Sequence, residues 1–242
     1  NKLIANPLSQ ETLYAKALDM TNQGDFPQAL IDWNQYLEIF PEDNAALSNR
    51  GNVRLALGDA QGDIDDQTNS IKLSNLSTDP YLNRGIAYEF LQLWDQAEND
   101  YKFVLDKNPF DPSALYNLGN VTLSKGDFIG ARFLFDKAAK ARPSFPIARS
   151  SKALADYQLG KLDDSELELR SIIRRYPMFV DSRAALCALL WRNGSFGEAE
   201  SNWAAVIGLD ARYSDKDWLL NIRRWPPRPA NDLLSFLSFN NR

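Results

Sequence analysis

Small residues recur every 34 positions along this chain. Stepping from Gly119 reaches Gly85, Gly51 and Ala17 in one direction and Ala153 and Cys187 in the other. Gly24, Gly58, Gln92, Gly126, Gly160 and Gly194 form a second column at the same interval, broken only at Gln92. Pro41, Asn75, Pro109, Pro143, Pro177 and Ala211 form a third. Three columns in register over six periods point to stacked structural repeats, because a fixed period of this length marks units that bury their apolar faces only against neighbours. Between the columns, the stretch from Asp111 to Pro143 reads as a helix, a Gly-Asp turn, a second helix and a stop.

The columns and the residues between them resemble the tetratricopeptide repeat (TPR) family. The resemblance is carried by Leu115, Leu118, Gly119, Ala131, Phe135, Ala138 and Pro143 in one unit. It is carried by Leu13, Ala17, Gly24, Phe26, Ala29, Trp33 and Pro41 in another. It implies an all-α fold, a right-handed superhelix of helix-turn-helix repeats closed by a C-terminal capping helix. The units are expected at 10–43, 44–77, 78–111, 112–145, 146–179 and 180–213, after a lead-in over 1–9. The remainder, 214–242, is read as a capping helix over Ser214–Arg224, a break at Trp225-Pro226-Pro227-Arg228-Pro229, and a terminal amphipathic helix with Leu233, Leu234, Phe236, Leu237 and Phe239.

Local signals agree with this division. Ser9 stands as a cap for the first helix, and Pro27 sits where a missing N–H costs little. Asp79-Pro80 and Asp111-Pro112 each read as a cap followed by a first-turn proline. The second unit is irregular. It places Asp63, Gln67 and Ser70 in columns that the fourth unit fills with Ala131, Phe135 and Ala138. Buried polar groups are costly unless paired, so this helix is expected to be loosened or compensated; the alternative is a partner contact or hinge. The cluster Asp59, Asp63, Asp65 and Asp66 lacks the spacing of a calcium loop. Arg149 and Lys152 occupy columns that are apolar in the fourth unit.

Composition narrows the function classes. The chain of 242 residues has no histidine, one cysteine (Cys187) and a net charge of −5. The commonest general base and metal ligand is missing, and no internal disulfide or cysteine zinc site can form. The acidic balance disfavours nucleic acid, which needs clustered Lys and Arg. No apolar run is long enough to span a bilayer. No phosphate-binding loop, nucleophile elbow or zinc-helix motif occurs. The expectation is a chain without catalytic role, cofactor or metal. Its first residue is Asn1 rather than Met, which suggests processing or trimming there, with loss of a targeting or anchor segment as one expectation.

The resemblance also implies a binding face. In TPR proteins the first helix of each unit lines a concave groove, here with Tyr14, Leu18, Ser48, Asn49, Asn52, Leu82, Asn83, Ile86, Phe90, Tyr116, Asn117, Asn120, Leu123, Leu154, Tyr157 and Trp191. Asn49, Asn83 and Asn117 share one column, and Asn52 and Asn120 another. A primary amide offers two donors and an acceptor, so repeated amides can hold a peptide backbone. This is similar to the asparagine ladder of the O-linked GlcNAc transferase superhelix; local helix contacts are the competing reading. The cationic clamp with which chaperone-binding TPR domains hold a terminal carboxylate has no counterpart here, which argues against a co-chaperone. Arg50 and Arg84 share a column beside the amides; solvation or ion pairing with acids of the following unit is their expected role, and reaching the groove rim the alternative.

The expected function is a scaffold, adaptor or assembly factor that holds an extended peptide or partner helix. The alternatives are a targeting domain of a larger enzyme and self-association through the second unit or the last helix. The Asn-Arg-Gly openings of the second and third units, with the Arg-Arg-Trp-Pro-Pro tail, are similar to TPR proteins of cyanobacteria and chloroplasts, several of which assist photosystem assembly or reside at the thylakoid.

Overall fold

A computed structural model describes residues 9–240, and among these no strand is present. Twelve helices form six antiparallel pairs: α1 (Gln10–Gln23) with α2 (Phe26–Ile39), α3 (Asn44–Ala56) with α4 (Ala60–Leu73), and α5 (Asp79–Phe90) with α6 (Trp94–Lys107). The series continues with α7 (Pro112–Ser124) and α8 (Phe128–Ala141), α9 (Pro146–Gln158) and α10 (Leu162–Arg175), and α11 (Val180–Arg192) and α12 (Phe196–Leu209). A thirteenth, α13 (Pro227–Asn240), comes after a short 3-10 turn at Ala211–Ser214 and a π-helical turn at Trp218–Ile222. The lead-in expected over residues 1–9 lies outside the described residues except for Ser9, whose Oγ accepts from Thr12 N.

Each pair is joined by a turn that needs a left-handed residue. Gly24, Gly58, Gly126, Gly160 and Gly194 have φ between +77° and +89°, a region glycine enters without steric cost. Gln92, the outlier of that column, takes the same conformation at φ +58°. After the glycine, Asp25, Asp59 and Asp127 cap the second helices by accepting from the backbone N–H of Gln28, Gly62 and Gly130.

The pairs close where small residues meet large ones. A Cβ on Gly85 would lie 2.5 Å from the Tyr101 ring, and one on Gly119 would lie 2.6 Å from Phe135. Both rings are fully buried, and each contributes about 2–3 kcal/mol of burial. In the first pair Ala17 and Ala29 let Trp33 sink to zero exposure, edge-on to Tyr14 and Tyr36. A second column stitches the early pairs. Lys16–Asp32, Arg50–Asp66 and Arg84–Asp100 are ion pairs of 3.0, 2.7 and 2.7 Å at equivalent positions. In α7 and α8 the matching residues are Leu118 and Leu134. Arg149 and Lys152 are also paired, with Glu168 and Asp136.

The chain divides into two compact units, one ending at Pro109 and one beginning at Phe110. In the first, α1 to α6 pack in sequence order and the odd helices α1, α3 and α5 also touch their odd neighbours. In the second, α7 to α12 pack in sequence order, α9 also touches α11, and α13 lies against α9 and α11.

Three local expectations are corrected. Asp79 is the first residue of α5 rather than its cap; Thr78 precedes it without a side-chain cap bond, and Ser77 Oγ accepts from Asp79 N at 3.2 Å. The turn after α12 is started by Asp215, which accepts from Asp217 N and Trp218 N, rather than by Ser214. The break expected over Trp225–Pro229 is present but falls slightly earlier, at residues 223–226, and the later prolines already belong to the next helix. Pro227 opens α13, where a missing N–H goes unnoticed.

Candidate functional site

The odd-numbered helices carry the residues expected to bind a partner, and the two units present them differently. In the first unit Asn49 donates Nδ2 to the Tyr14 hydroxyl at 2.9 Å, and Asn83 donates Nδ2 to Ser48 Oγ at 3.3 Å. Each of these amides is tied to the preceding odd helix by one N–H and keeps its carbonyl and second hydrogen. Asn52 is exposed; its Oδ1 accepts from Gln67 Nε2 at 3.1 Å, which leaves its own NH2 outward. On α5, Ile86 and Phe90 lie three and seven residues beyond Asn83, on one helix face, and are 39% and 60% exposed. Leu82 is half-buried beside them. The first unit therefore brings amides with spare hydrogen-bonding capacity next to two exposed apolar side chains.

Behind that face lies the irregular interior of α3 and α4. Gln67 is fully buried and saturated: its Oε1 accepts from Ser48 Oγ at 2.7 Å, and its Nε2 faces Asp63 Oδ1, Ser48 O and Asn52 Oδ1. Ser70 donates to Asn44 O. The polar columns are thus compensated, with one exception: the fully buried Asp63 leaves Oδ2 without a partner. Burial pushes the Asp63 carboxyl up to about 6, helped by Asp66 and Asp59 and opposed by the Gln67 hydrogen bond. The aspartates noted in the sequence have separate duties, since Asp59 caps α4 and Asp66 holds Arg50 and Arg54.

In the second unit Tyr116, Asn117 and Asn120 are half-buried on α7. Leu154 and Tyr157, expected in the groove, are buried at 1% and 0%. This corrects the expectation that they line an open surface. The Tyr157 hydroxyl donates to Asp232 of α13 at 2.6 Å, Arg192 pairs with the same carboxylate at 3.0 Å, and Arg228 N donates to Gln158 Oε1. Leu233 and Phe236 of α13 are buried in the same core as Leu154 and Leu189. The terminal helix covers α9 and α11 on the side where a groove was expected.

The segment leading into α13 completes the closure. Arg223 is inserted so that Nε and Nη2 each reach Asp181 of α11 at 2.7 Å, and Nη2 also reaches Ser151 of α9. Asp181 further accepts from Tyr213, Trp225 Nε1 and Ser150. Total burial by itself raises a carboxyl, but the Arg223 charge and these hydrogen bonds hold Asp181 below its usual value. Arg224, at φ +56°, donates instead to Ser124 of α7. Ser151 shares a sequence column with Asn49, Asn83 and Asn117, so the guanidinium lies where the amide ladder would have continued. Asp181 and Arg223 were not legible as a pair, because only the return of the chain joins them. Cys187 is buried and its thiol is pushed up to about 12 by desolvation.

Among the described residues no helix is long and apolar enough to cross a membrane. The sequence profile of the tetratricopeptide repeat family matches residues 14–68 and 82–146. Over 160 residues the chain is 27% identical to human tetratricopeptide repeat protein 6, covering 64% of this chain and 30% of that protein. It is 30% identical over 132 residues to the human mitochondrial import receptor subunit TOM34, covering 51% of this chain and 43% of the receptor. The chain spans less than half the length of either relative. A tetratricopeptide repeat protein from Parabacteroides merdae shares the fold at a TM-score of 0.70 and 22% identity, over 95% of this chain and 92% of that one. With the repeated helix pairs, the left-handed turns and the small-to-large crossings on one side and these likenesses on the other, the chain belongs to the tetratricopeptide repeat proteins.

Proposed function

We propose that this chain is a protein-interaction scaffold that holds a segment of a partner against the odd-helix face of its first unit. Ile86 and Phe90 act as apolar anchors, and Asn49, Asn52 and Asn83 meet the partner's backbone N–H and C=O groups. Asn117, Asn120 and Tyr116 on α7 offer the same chemistry in the second unit. The observation that carries this reading is the exposure of Phe90 and Ile86 beside amides whose remaining donors and acceptors are unspent. TPR proteins bind protein partners, and a scaffold suits that role.

The test compares the wild-type chain with a Phe90→Ala, Asn83→Ala variant in quantitative affinity capture. Proteins retained by the wild type should drop by about tenfold or more, the loss expected when an anchor and its neighbouring amide are removed. Equal retention by a variant of unchanged helicity overturns the reading.

A second reading, a targeting or regulatory module of a larger enzyme or complex, is favoured by the length of the relatives, which extend well beyond the stretch matched here. The full open reading frame decides it. Photosynthetic-complex assembly in a cyanobacterium or chloroplast is the narrowest form of the scaffold proposal. Its sequence basis is spent on internal contacts, since Arg50 and Arg84 pair with Asp66 and Asp100, and Arg223 and Trp225 hold Asp181. Imaging a tagged full-length protein tests that location directly.

A further inference from the structure

Five of the six helix pairs put a small neutral residue where the second helix crosses the first: Ala29, Ala97, Ala131, Ser165 and Ala199. Only α4 puts a carboxyl there. Asp63 abuts Gly51 so closely that a Cβ on that glycine would sit 2.5 Å from Oδ1. The acid is fully buried, one oxygen has no partner, and the other is held by Gln67.

Gln67 connects this acid to the proposed binding face. Its Nε2 lies within 2.9 Å of Asp63 Oδ1 and within 3.1 Å of both Asn52 Oδ1 and Ser48 O. An NH2 group has two hydrogens, so three acceptors compete for them. A charged acceptor draws a hydrogen bond more strongly than a neutral one. An ionised Asp63 therefore claims one hydrogen outright and leaves Asn52 to share the other with Ser48 O. A protonated Asp63 is the weakest acceptor of the three, and both hydrogens pass to Asn52 and Ser48 O.

From this we infer that Asp63 and Gln67 are positioning residues for the binding face, and that the charge on Asp63 decides whether the Asn52 amide is locked with its NH2 outward or released. The inference rests on the partner-binding reading above for its biological use, but its physical content concerns the free protein. A locked amide is pre-organised for a partner's carbonyl, so this part of the face grips better when Asp63 is neutral. Asp59 and Asp66 share its helix pair; Arg50 and Arg54 come from α3 and are both engaged on Asp66. Arg84 comes from α5 and is engaged on Asp100 and Thr68. Among the described residues no cation pairs with Asp63. The chain has no histidine, so no imidazole competes for a transition between pH 5 and 7.5.

The experiment tracks the side-chain amide resonances of Asn52 and Gln67 in the full chain by nitrogen-15 NMR from pH 5 to 7.5. Asn117 and Asn120 serve as internal controls, and Asp63→Ala and Asp63→Asn as variants. Alanine occupies the equivalent place in four other pairs, so Asp63→Ala keeps the fold, checked by circular dichroism. Expected is one shared transition with a midpoint near 6 for Asn52 and Gln67, absent in both variants and at the control amides. A flat Asn52 response in the wild type overturns the inference, as does the same transition in Asp63→Ala. Affinity-capture results do not enter this outcome, so failure of the partner reading and failure of the switch are separable.

Discussion

The first unit leaves its odd-helix face open; the second covers its own at α9 and α11. Ile86 and Phe90 stay exposed on α5, whereas Leu154 and Tyr157 on α9 lie beneath α13. The same helix pair serves both arrangements. The difference arises near the C-terminus: after α12 the backbone turns back, inserts Arg223 between α9 and α11, and lays an amphipathic helix over them. Each face also has a buried aspartate behind it, and the two have opposite fates. Asp181 is surrounded by a guanidinium, a phenol, an indole and a hydroxyl and is held ionised. Asp63 has a single donor and is pushed towards neutrality. Burial does not decide the charge of a carboxyl; the donors around it do.

The largest expected effect breaks the closed face. Asp181→Asn leaves Arg223 buried without a counter-charge, and removing one member of such a pair costs about 3–5 kcal/mol. Chemical denaturation should show a loss of that size, with α13 released first. A loss under about 1 kcal/mol contradicts the account of the closure.

The next effect is a difference in pH slope. Asp63 has a raised folded-state value, so its contribution to stability is fully present below the ordinary 3.8 and is lost as pH rises through about 6. A displacement of that size corresponds to about 3 kcal/mol. Asp181 runs the other way: its depressed value contributes stability above the ordinary carboxylate range, lost as pH falls through the folded-state value. Denaturation of wild type and Asp63→Ala between pH 4 and 7.5 should show the variant gaining on the wild type by about 2.5 kcal/mol as pH rises. Parallel curves would mean that Asp63 ionises as freely in the folded chain as in the unfolded one.

A smaller difference separates the interior of the irregular pair from that of a regular one. At pH 7.5 the amides of α4 should exchange faster than those of α8, which packs through Ala131, Phe135 and Ala138. Asp63→Ala should close that gap. Equal protection in the wild type would show that the Gln67 network offsets the buried acid completely. The smallest effect on stability belongs to the open face. Phe90→Ala should change it by about 0.5 kcal/mol or less, the range of surface substitutions, while weakening partner capture.

The turns and helix pairs were legible because each column has a local cause. Glycine answers a left-handed turn, and a small residue answers a close helix crossing. Gln92 shows the limit: the turn persists after its glycine is lost, since the rest of the pair imposes it. Asp63, Gln67 and Ser70 were visible as polar intrusions, and Ser48 and Asn52 lay at the right spacing to answer them. The column of Arg50 and Arg84 was visible too, and its carboxylates lie 16 residues on in both cases. What stayed hidden depends on tertiary return. Asp181 and Arg223 are far apart in the chain, and nothing near either residue names the other. The prolines from Pro226 to Pro229 marked the break but not where it ends, because proline suits the first turn of a helix as well as the end of one.

The contrast between an open and a filled face is tested most directly by a hydrogen-exchange footprint of the chain bound to a captured partner. Protection should appear on α3 and α5, around Asn52, Asn83, Ile86 and Phe90, with α9, α11 and α13 unchanged. Protection confined to α9–α13, or release of α13 on binding, would contradict the account.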